Sequence, residues 1–255
     1  MKQYKKIYEL KNTAKDKLEG KYGGAVLILL LSALMSGILR LSISSVAGAT
    51  MSTVYSMTGS LNTVTALSFV FDALLLLATI LLGVMNAGIA LYFLNMACGQ
   101  PFSIGNLFYG YQGESKKTLL ITAAMVLLQA VCLWPGQYLA QNYLNTGDVK
   151  WIGYAFLACG LGLCLYLPVS LGISMSFYLM LDFPQNPGGK TLSLCWRMMK
   201  GHKRRLFRLE LSFLPLMLLC VLSFGIGFLW LNPYMQMTYT CFFLDLMNPR
   251  DTETP

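Results

Sequence analysis

Apolar stretches of about twenty residues, the length that crosses a bilayer as a helix, recur from Gly23 to Leu246 with few charges inside them. This pattern bears most directly on what the chain can fold into. Hydrophobic residues are 56% of the 255-residue chain and charged residues only 12%, against about 25% charged in an ordinary soluble domain. So few charges cannot cover a globule of this size. Lipid as the solvent removes that requirement, because apolar side chains then face outward. The expected fold class is all-α: a polytopic transmembrane helical bundle forming a single integral membrane domain over residues 1–255.

Six spans are expected, at about 23–44, 73–95, 118–139, 151–181, 206–223 and 228–246. A basic amphipathic segment, 1–22, precedes the first, and a polar tail, 247–255, follows the last. The Ser-, Thr-, Gly- and Met-rich stretch 45–65 is expected to be an outer loop, as is 141–150. Segments 99–117 and 182–208 are the inner loops. The second and fourth apolar runs exceed a straight span, and Pro168 predicts a kink in the fourth. The fifth span requires Arg208 to snorkel inward, and Phe224-Gly225-Ile226-Gly227 is a tight return turn. Ala47-Gly48-Ala49 resembles a cleavage site. However, the charged region before the first apolar run is too long and the run itself can span, so a retained signal anchor is expected.

The net charge is +8, and its distribution is more informative than its size. On the six-span layout, seventeen of the nineteen Lys and Arg residues fall on one side and only Arg40 and Lys150 on the other. The positive-inside rule then makes both termini cytoplasmic in a multi-pass protein of the plasma membrane. No nucleic-acid-binding module accompanies the basic residues, so nucleic acid is not an expected partner. Cys98, Cys132, Cys159, Cys164, Cys195, Cys220 and Cys241 show no Cys-x-x-Cys spacing, and most sit in apolar runs, where a thiol behaves as a small hydrophobe.

The inner segments repeat. Ile104, Leu107, Phe108, Tyr111 and Gly113 recur as Leu192, Cys195, Trp196, Met199 and Gly201 at a constant offset of 88 residues. Leu10, Ala14, Leu18 and Gly20 form a third, looser copy. The even-numbered spans end alike, in Tyr92-Phe93-Leu94-Asn95, Tyr178-Leu179-Met180-Leu181-Asp182 and Phe242-Phe243-Leu244-Asp245. The expected architecture is therefore three repeated hairpins, each preceded by a cytoplasmic amphipathic helix. Such a helix lies in the interface plane, with its apolar face in lipid and its basic face on anionic headgroups. The candidate lipid- or partner-facing basic residues are Arg197, Lys200, Lys203, Arg204 and Arg208. The alternative is that these segments serve only as topology determinants.

Three blocks carry a family resemblance: Leu10-Lys11-Asn12-Thr13-Ala14-Lys15 running into Leu18-Glu19-Gly20-Lys21-Tyr22-Gly23; Lys200-Gly201-His202-Lys203-Arg204-Arg205-Leu206-Phe207; and Leu211-Ser212-Phe213 through Gly225-Ile226-Gly227, Leu229-Trp230-Leu231, Pro233-Tyr234 and Asp245-Leu246. Together they resemble domain of unknown function 975, an uncharacterised bacterial membrane-protein family. Leu167-Pro168-Val169-Ser170 departs from it where a proline-glycine pair is expected, and stretch 45–65 has no counterpart. The resemblance implies a multi-spanning membrane protein and supplies no catalytic residues.

The residues themselves supply none either. His202 is the only histidine and lies among Lys and Arg, and no His-x-x-His or His-Glu-x-x-His metal spacing, Gly-x-Ser-x-Gly elbow or Walker loop is present. No enzyme activity, cofactor or metal is expected. Polar residues in the apolar runs carry more weight, because they are expensive in lipid. Asp72, Asn86, Gln129, Asn232 and Gln236 are these residues; Asn86, Pro168, Asn232 and Pro233 are the candidates for broken helices lining a cavity. Hydrogen-bonded contact between packed helices is the competing role. Asp182 and Asp245 are expected to pair with the basic inner segments. Two functions follow: a non-enzymatic membrane component that engages anionic headgroups of the cytoplasmic leaflet or a membrane protein partner, and a small-solute or lipid transporter or channel.

Overall fold

The computed structural model describes residues 2–112, 115–248 and 250–251. The first helix, α1 (Ile7–Leu18), places Leu10, Ala14 and Leu18 on one face, with Glu9 in the first turn and Lys15 and Lys17 in the last, the polarity a helix macrodipole favours. Gly20 ends it in the left-handed region, at φ 72°. Helix α2 (Tyr22–Thr58) is 37 residues long, about 55 Å against a hydrocarbon core of about 30 Å. It therefore runs well past the end expected near Ser44.

Stretch 45–65, expected as a loop, is helical apart from the turn at Gly59 and Ser60, where α3 (Leu61–Gly83) begins. The physical reason lies in its hydroxyls. Thr50 donates to the Val46 carbonyl at 2.8 Å, Thr53 to Ala49 at 2.8 Å and Thr58 to Val54 at 2.8 Å. Back-bonding of this kind lets a Ser/Thr-rich segment remain helical, and the facing helices α2 and α3 pack together. The chain then breaks at Val84 and continues as α4 (Met85–Cys98).

After α4 the inner segment is a 3-10 turn, Ile104–Phe108, followed by the single-turn α5 (Tyr109–Gln112). The amphipathic α-helix expected there is not formed; Leu107 is buried, while Ile104, Phe108 and Tyr111 are exposed. Helices α6 (Ser115–Thr146) and α7 (Lys150–Ile173) pack along one another, and most of segment 141–150 is helix rather than loop. Small residues permit the approach. A Cβ on Gly162 would lie 2.0 Å from the Cys132 carbonyl oxygen, and one on Gly136 would lie 2.2 Å from Cys159 Sγ. Pro135 and Pro168 are both accommodated inside helices. The fourth run breaks at Ser174 and Met175 instead, six residues beyond Pro168, before α8 (Ser176–Asp182). Next come α9 (Gly188–Met198), α10 (Lys203–Leu211), α11 (Leu214–Leu222) and α12 (Phe228–Met247), with Phe224 and Gly225 turning the chain at φ 53° and 86°.

Lys2–Gln3 pairs antiparallel with Arg250–Asp251, so both termini lie at one end of the bundle. The core lies toward that same end. It consists of α12, the buried halves α4 and α8, and α1 laid across α12. Tyr178 stacks on Phe243 with centroids 5.3 Å apart and shares a hydrogen bond of 3.1 Å with Thr240. Elsewhere the helices expose many large apolar side chains, among them Ile38, Leu41, Val70, Val131, Phe156, Leu161 and Leu218.

Four helical segments, Tyr22–Thr58, Thr63–Cys98, Ser115–Ala140 and Lys150–Asp182, are long and apolar enough to cross a membrane. At most 17% of the apolar window in any of them is buried inside the protein. Side chains this apolar and this exposed need lipid around them. The last two expected spans do not meet the same measure. The fifth is interrupted at Ser212 and Phe213, leaving α11 with nine residues, and α12 is diluted by Asn232, Gln236, Thr238, Thr240 and Asp245.

Candidate functional site

The expected seating of the basic segments on lipid through their apolar faces is corrected by the fold. The apolar face of α1 does not enter lipid: Leu10, Ala14 and Leu18 are wholly buried and packed on α12. In α9, Thr191 and Cys195 pack inward, toward α6 and α8, together with Met199 just beyond the helix. The ends of α4, α8 and α12 are aromatic, and packing α1 on α12 and α9 on α8 keeps the paired apolar faces out of water together. Burial pushes the Cys195 thiol up and the Lys11 ammonium down, and the neighbouring Lys15 charge lowers the latter further. Lys11 donates to the Ser212 carbonyl at 2.9 Å and lies 4.0 Å from the Phe213 ring centroid, tying α1 to the break between α10 and α11.

A polar clasp closes this end. Arg205 Nη2 donates to Asp245 Oδ2 at 2.5 Å and to the Lys5 carbonyl at 2.7 Å. The Lys5 amide donates back to the same carboxylate at 3.2 and 3.3 Å. Asp245 thus meets a basic segment, as expected. Asp182 instead lines a cavity described below. His202 stands edge-on to Tyr4 at 4.6 Å beside the clasp. Burial and the Arg205 charge hold its imidazole below the usual value, with Asp245 opposing them.

Outside the clasp, Trp196, Arg197, Lys200, Gly201, Lys203 and Arg204 border a surface recess of about 630 Å³. Arg197, Lys200, Arg204 and Arg208 are exposed. Lys203 differs: its ammonium donates to the Pro168 carbonyl at 3.0 Å and sits 3.2 Å from the Trp196 ring centroid. Gly172 makes room for this node, since a Cβ there would lie 2.4 Å from the indole. Lys203 therefore positions Trp196 and α9 against α7, while the other cations project freely from the surface.

Two cavities follow the same faces of α4, α8 and α12. One, of about 470 Å³ at the end that carries the termini, is bordered by Asn95, Asp182, Asn248 and apolar neighbours. The other, of about 230 Å³, is bordered by Asn86, Ser174, Tyr178, Glu210, Gln236 and Tyr239 together with apolar side chains. At 1.5 Å per residue, Tyr239 and Gln236 lie roughly 12 to 17 Å from the last residue of α12. Tyr178 borders the second space and Phe243 the first, and the two rings stack on each other.

Of the residues expected to line a cavity, Asn86 does so, and it follows the observed helix break at Val84. Pro168 and Asn232 are exposed, and Pro233 is buried within a continuous α12. A cavity shared by Asn86, Pro168 and Asn232 is therefore not formed. Asp72 is exposed on a separate recess with Trp134, Gln137 and Tyr138, and Gln129 is exposed. Glu210 and Tyr239 were not among the expected residues. The available signal was a carboxylate inside the fifth apolar run, where charge is costly.

The profile of a family described as protein of unknown function (DUF975) matches residues 1–249. No curated protein and no solved structure matches the chain.

Proposed function

The chain belongs to the DUF975 family, and we propose that it is a non-enzymatic integral membrane component that holds anionic lipid headgroups at the cytoplasmic face of the bacterial plasma membrane. The observation that carries this reading is the recess beside α9. Arg197, Lys200 and Arg204 border it together with the Lys203–Trp196 pair, and no acidic side chain is among its described lining residues. Each exposed cation near an anionic leaflet contributes on the order of 1 kcal/mol of attraction, and Trp196 suits the headgroup level. A membrane protein partner with acidic side chains would meet the same surface.

This reading takes the chain through the membrane six times, as three repeats with both termini cytoplasmic. The joined segment 203–222 has 20 residues, about 30 Å as helix, so α10 and α11 cross together despite the break between them. Basic α1 and α9 then share the inner side, and Arg40 lies about one bilayer thickness along α2.

The test is Trp196 fluorescence in nanodiscs. Brominated phosphatidylglycerol should quench it more than brominated phosphatidylcholine, with Trp196→Phe identifying the signal. Replacing Arg197, Lys200 and Arg204 together by Gln should remove the preference without lowering membrane abundance. Equal quenching by both lipids in the wild-type protein overturns the proposal.

A second reading, a small-solute path, is favoured by one observation: the two cavities along α4, α8 and α12, bordered by the two stacked rings of Tyr178 and Phe243.

A further inference from the structure

The deeper cavity has an electrostatic character that the basic surface lacks. Among the described residues that line it, Glu210 alone carries a formal charge. No hydrogen bond or ion pair reaches that carboxylate among the described residues. Glu210 is half-buried, and a carboxylate partly shielded from water among apolar and aromatic side chains favours a proton or a counter-cation. The rest of the lining narrows the choice of cation. Asn86, Gln236 and Ser174 supply neutral polar atoms, and Phe177, Tyr178 and Tyr239 supply ring faces and edges. Ile89, Met175 and Leu206 complete an apolar wall.

At about 30 Å³ per water, a cavity of about 230 Å³ would leave a metal ion among several waters against apolar side chains. An ammonium with a hydrocarbon body uses the lining better. Its charge meets the carboxylate in a charge-assisted hydrogen bond and the aromatic rings through cation–π attraction, while its body covers the apolar wall. We propose that this cavity binds a small organic monocation, an ammonium carrying an alkyl or aryl body, with Glu210 as its counter-charge. The inference rests on the solute-path reading only for its entry route, from the space beside Asn95, Asp182 and Asn248 past the Tyr178–Phe243 stack.

Binding and passage are separable by experiment. The full chain in phosphatidylcholine nanodiscs is titrated with benzylammonium, with benzyl alcohol as the neutral analogue and with sodium chloride, by isothermal calorimetry. Benzylammonium should bind, benzyl alcohol should bind at least tenfold more weakly, and Glu210→Gln should weaken the ammonium at least tenfold. In the wild-type protein, acidification should weaken ammonium binding as the proton takes the carboxylate, so the result does not depend on a variant that folds. No ammonium binding, equal binding of the alcohol, an unchanged Glu210→Gln affinity, or a Glu210-dependent response to sodium alone overturns the site. Uptake of benzylammonium into proteoliposomes is measured separately. Binding without uptake refutes the path and leaves the site standing.

Discussion

Replacing Asp245 by Ala should destabilise the protein by about 3 kcal/mol, the lower end of the range for removing one member of a buried ion pair. The structure sets that magnitude. The Asp245 side chain is 3% exposed and Arg205 18%, so both charges are largely withdrawn from water. The carboxylate receives the Arg205 guanidinium and two contacts from the Lys5 amide. Without it, Arg205 keeps the Lys5 carbonyl and the faces of the Tyr4 and Phe242 rings, which replace no carboxylate, and its Nη1 is already buried without a partner. Asp245→Asn preserves an acceptor for Lys5 and should cost roughly half as much. Arg205→Met with Asp245→Leu removes both charges and should recover most of the loss, because a buried pair and an apolar pair of similar volume differ little in stability. The assay is equilibrium unfolding in mixed dodecyl sulfate micelles followed by circular dichroism, arranged as a double-mutant cycle. A coupling energy below about 0.5 kcal/mol, or single variants each within that amount of wild type, would refute the clasp as a stabilising element. Limited proteolysis supplies a second readout, since cleavage before Ile7 should accelerate in Asp245→Ala.

Other predictions follow from the same geometry. Gly172→Ala drives a methyl into the Trp196 ring and should cost about 1–3 kcal/mol, with a shifted tryptophan emission; unchanged emission and stability would refute the α7–α9 node. Gly162→Ala places a methyl on the Cys132 carbonyl and should lower the apparent melting temperature in detergent more than Gly153→Ala, whose Cβ would meet nothing within 4 Å. The folded-state pKa of His202 is depressed, so the unfolded chain takes up the proton first. Stability should be full above the ordinary histidine value of about 6.5 and decline as pH falls from there through the depressed value; in His202→Gln, unfolding midpoints should be flatter across that window. In a cysteine-free background, Ile226→Cys should react with a membrane-impermeant maleimide added outside intact cells, and Lys6→Cys only after lysis. The opposite pattern would invert the proposed orientation.

Membrane residence was legible from composition and run length, because lipid-facing helices require apolar side chains whatever their packing. Helix ends were less legible. Stretch 45–65 looks like a loop by residue type, yet its hydroxyls bond back to their own helix and the facing helix supports it. Asn86 was identified from polarity in an apolar run, whereas Pro168 and Asn232 carried the same signal and point outward. A proline's missing donor shows that the ladder is interrupted, not which way the helix faces. Lys203 was grouped with its basic neighbours, but it is held over Trp196 of α9 and by the Pro168 carbonyl, 35 residues away in α7.

What the amino-acid order determined by itself was local or cumulative: apolar length, the clustering of basic residues, the aromatic endings shared by α4, α8 and α12, and the turn at Gly225. These depend on solvent and on near neighbours along the chain. Tertiary structure alone decided that the amphipathic segments cover protein rather than lipid, that Asp245 holds Arg205 across 40 residues, and that Glu210 from α10 faces Asn86 and Gln236. Such pairings arise when separate helices bury one another's faces, and no period within a single helix records which neighbour it will meet.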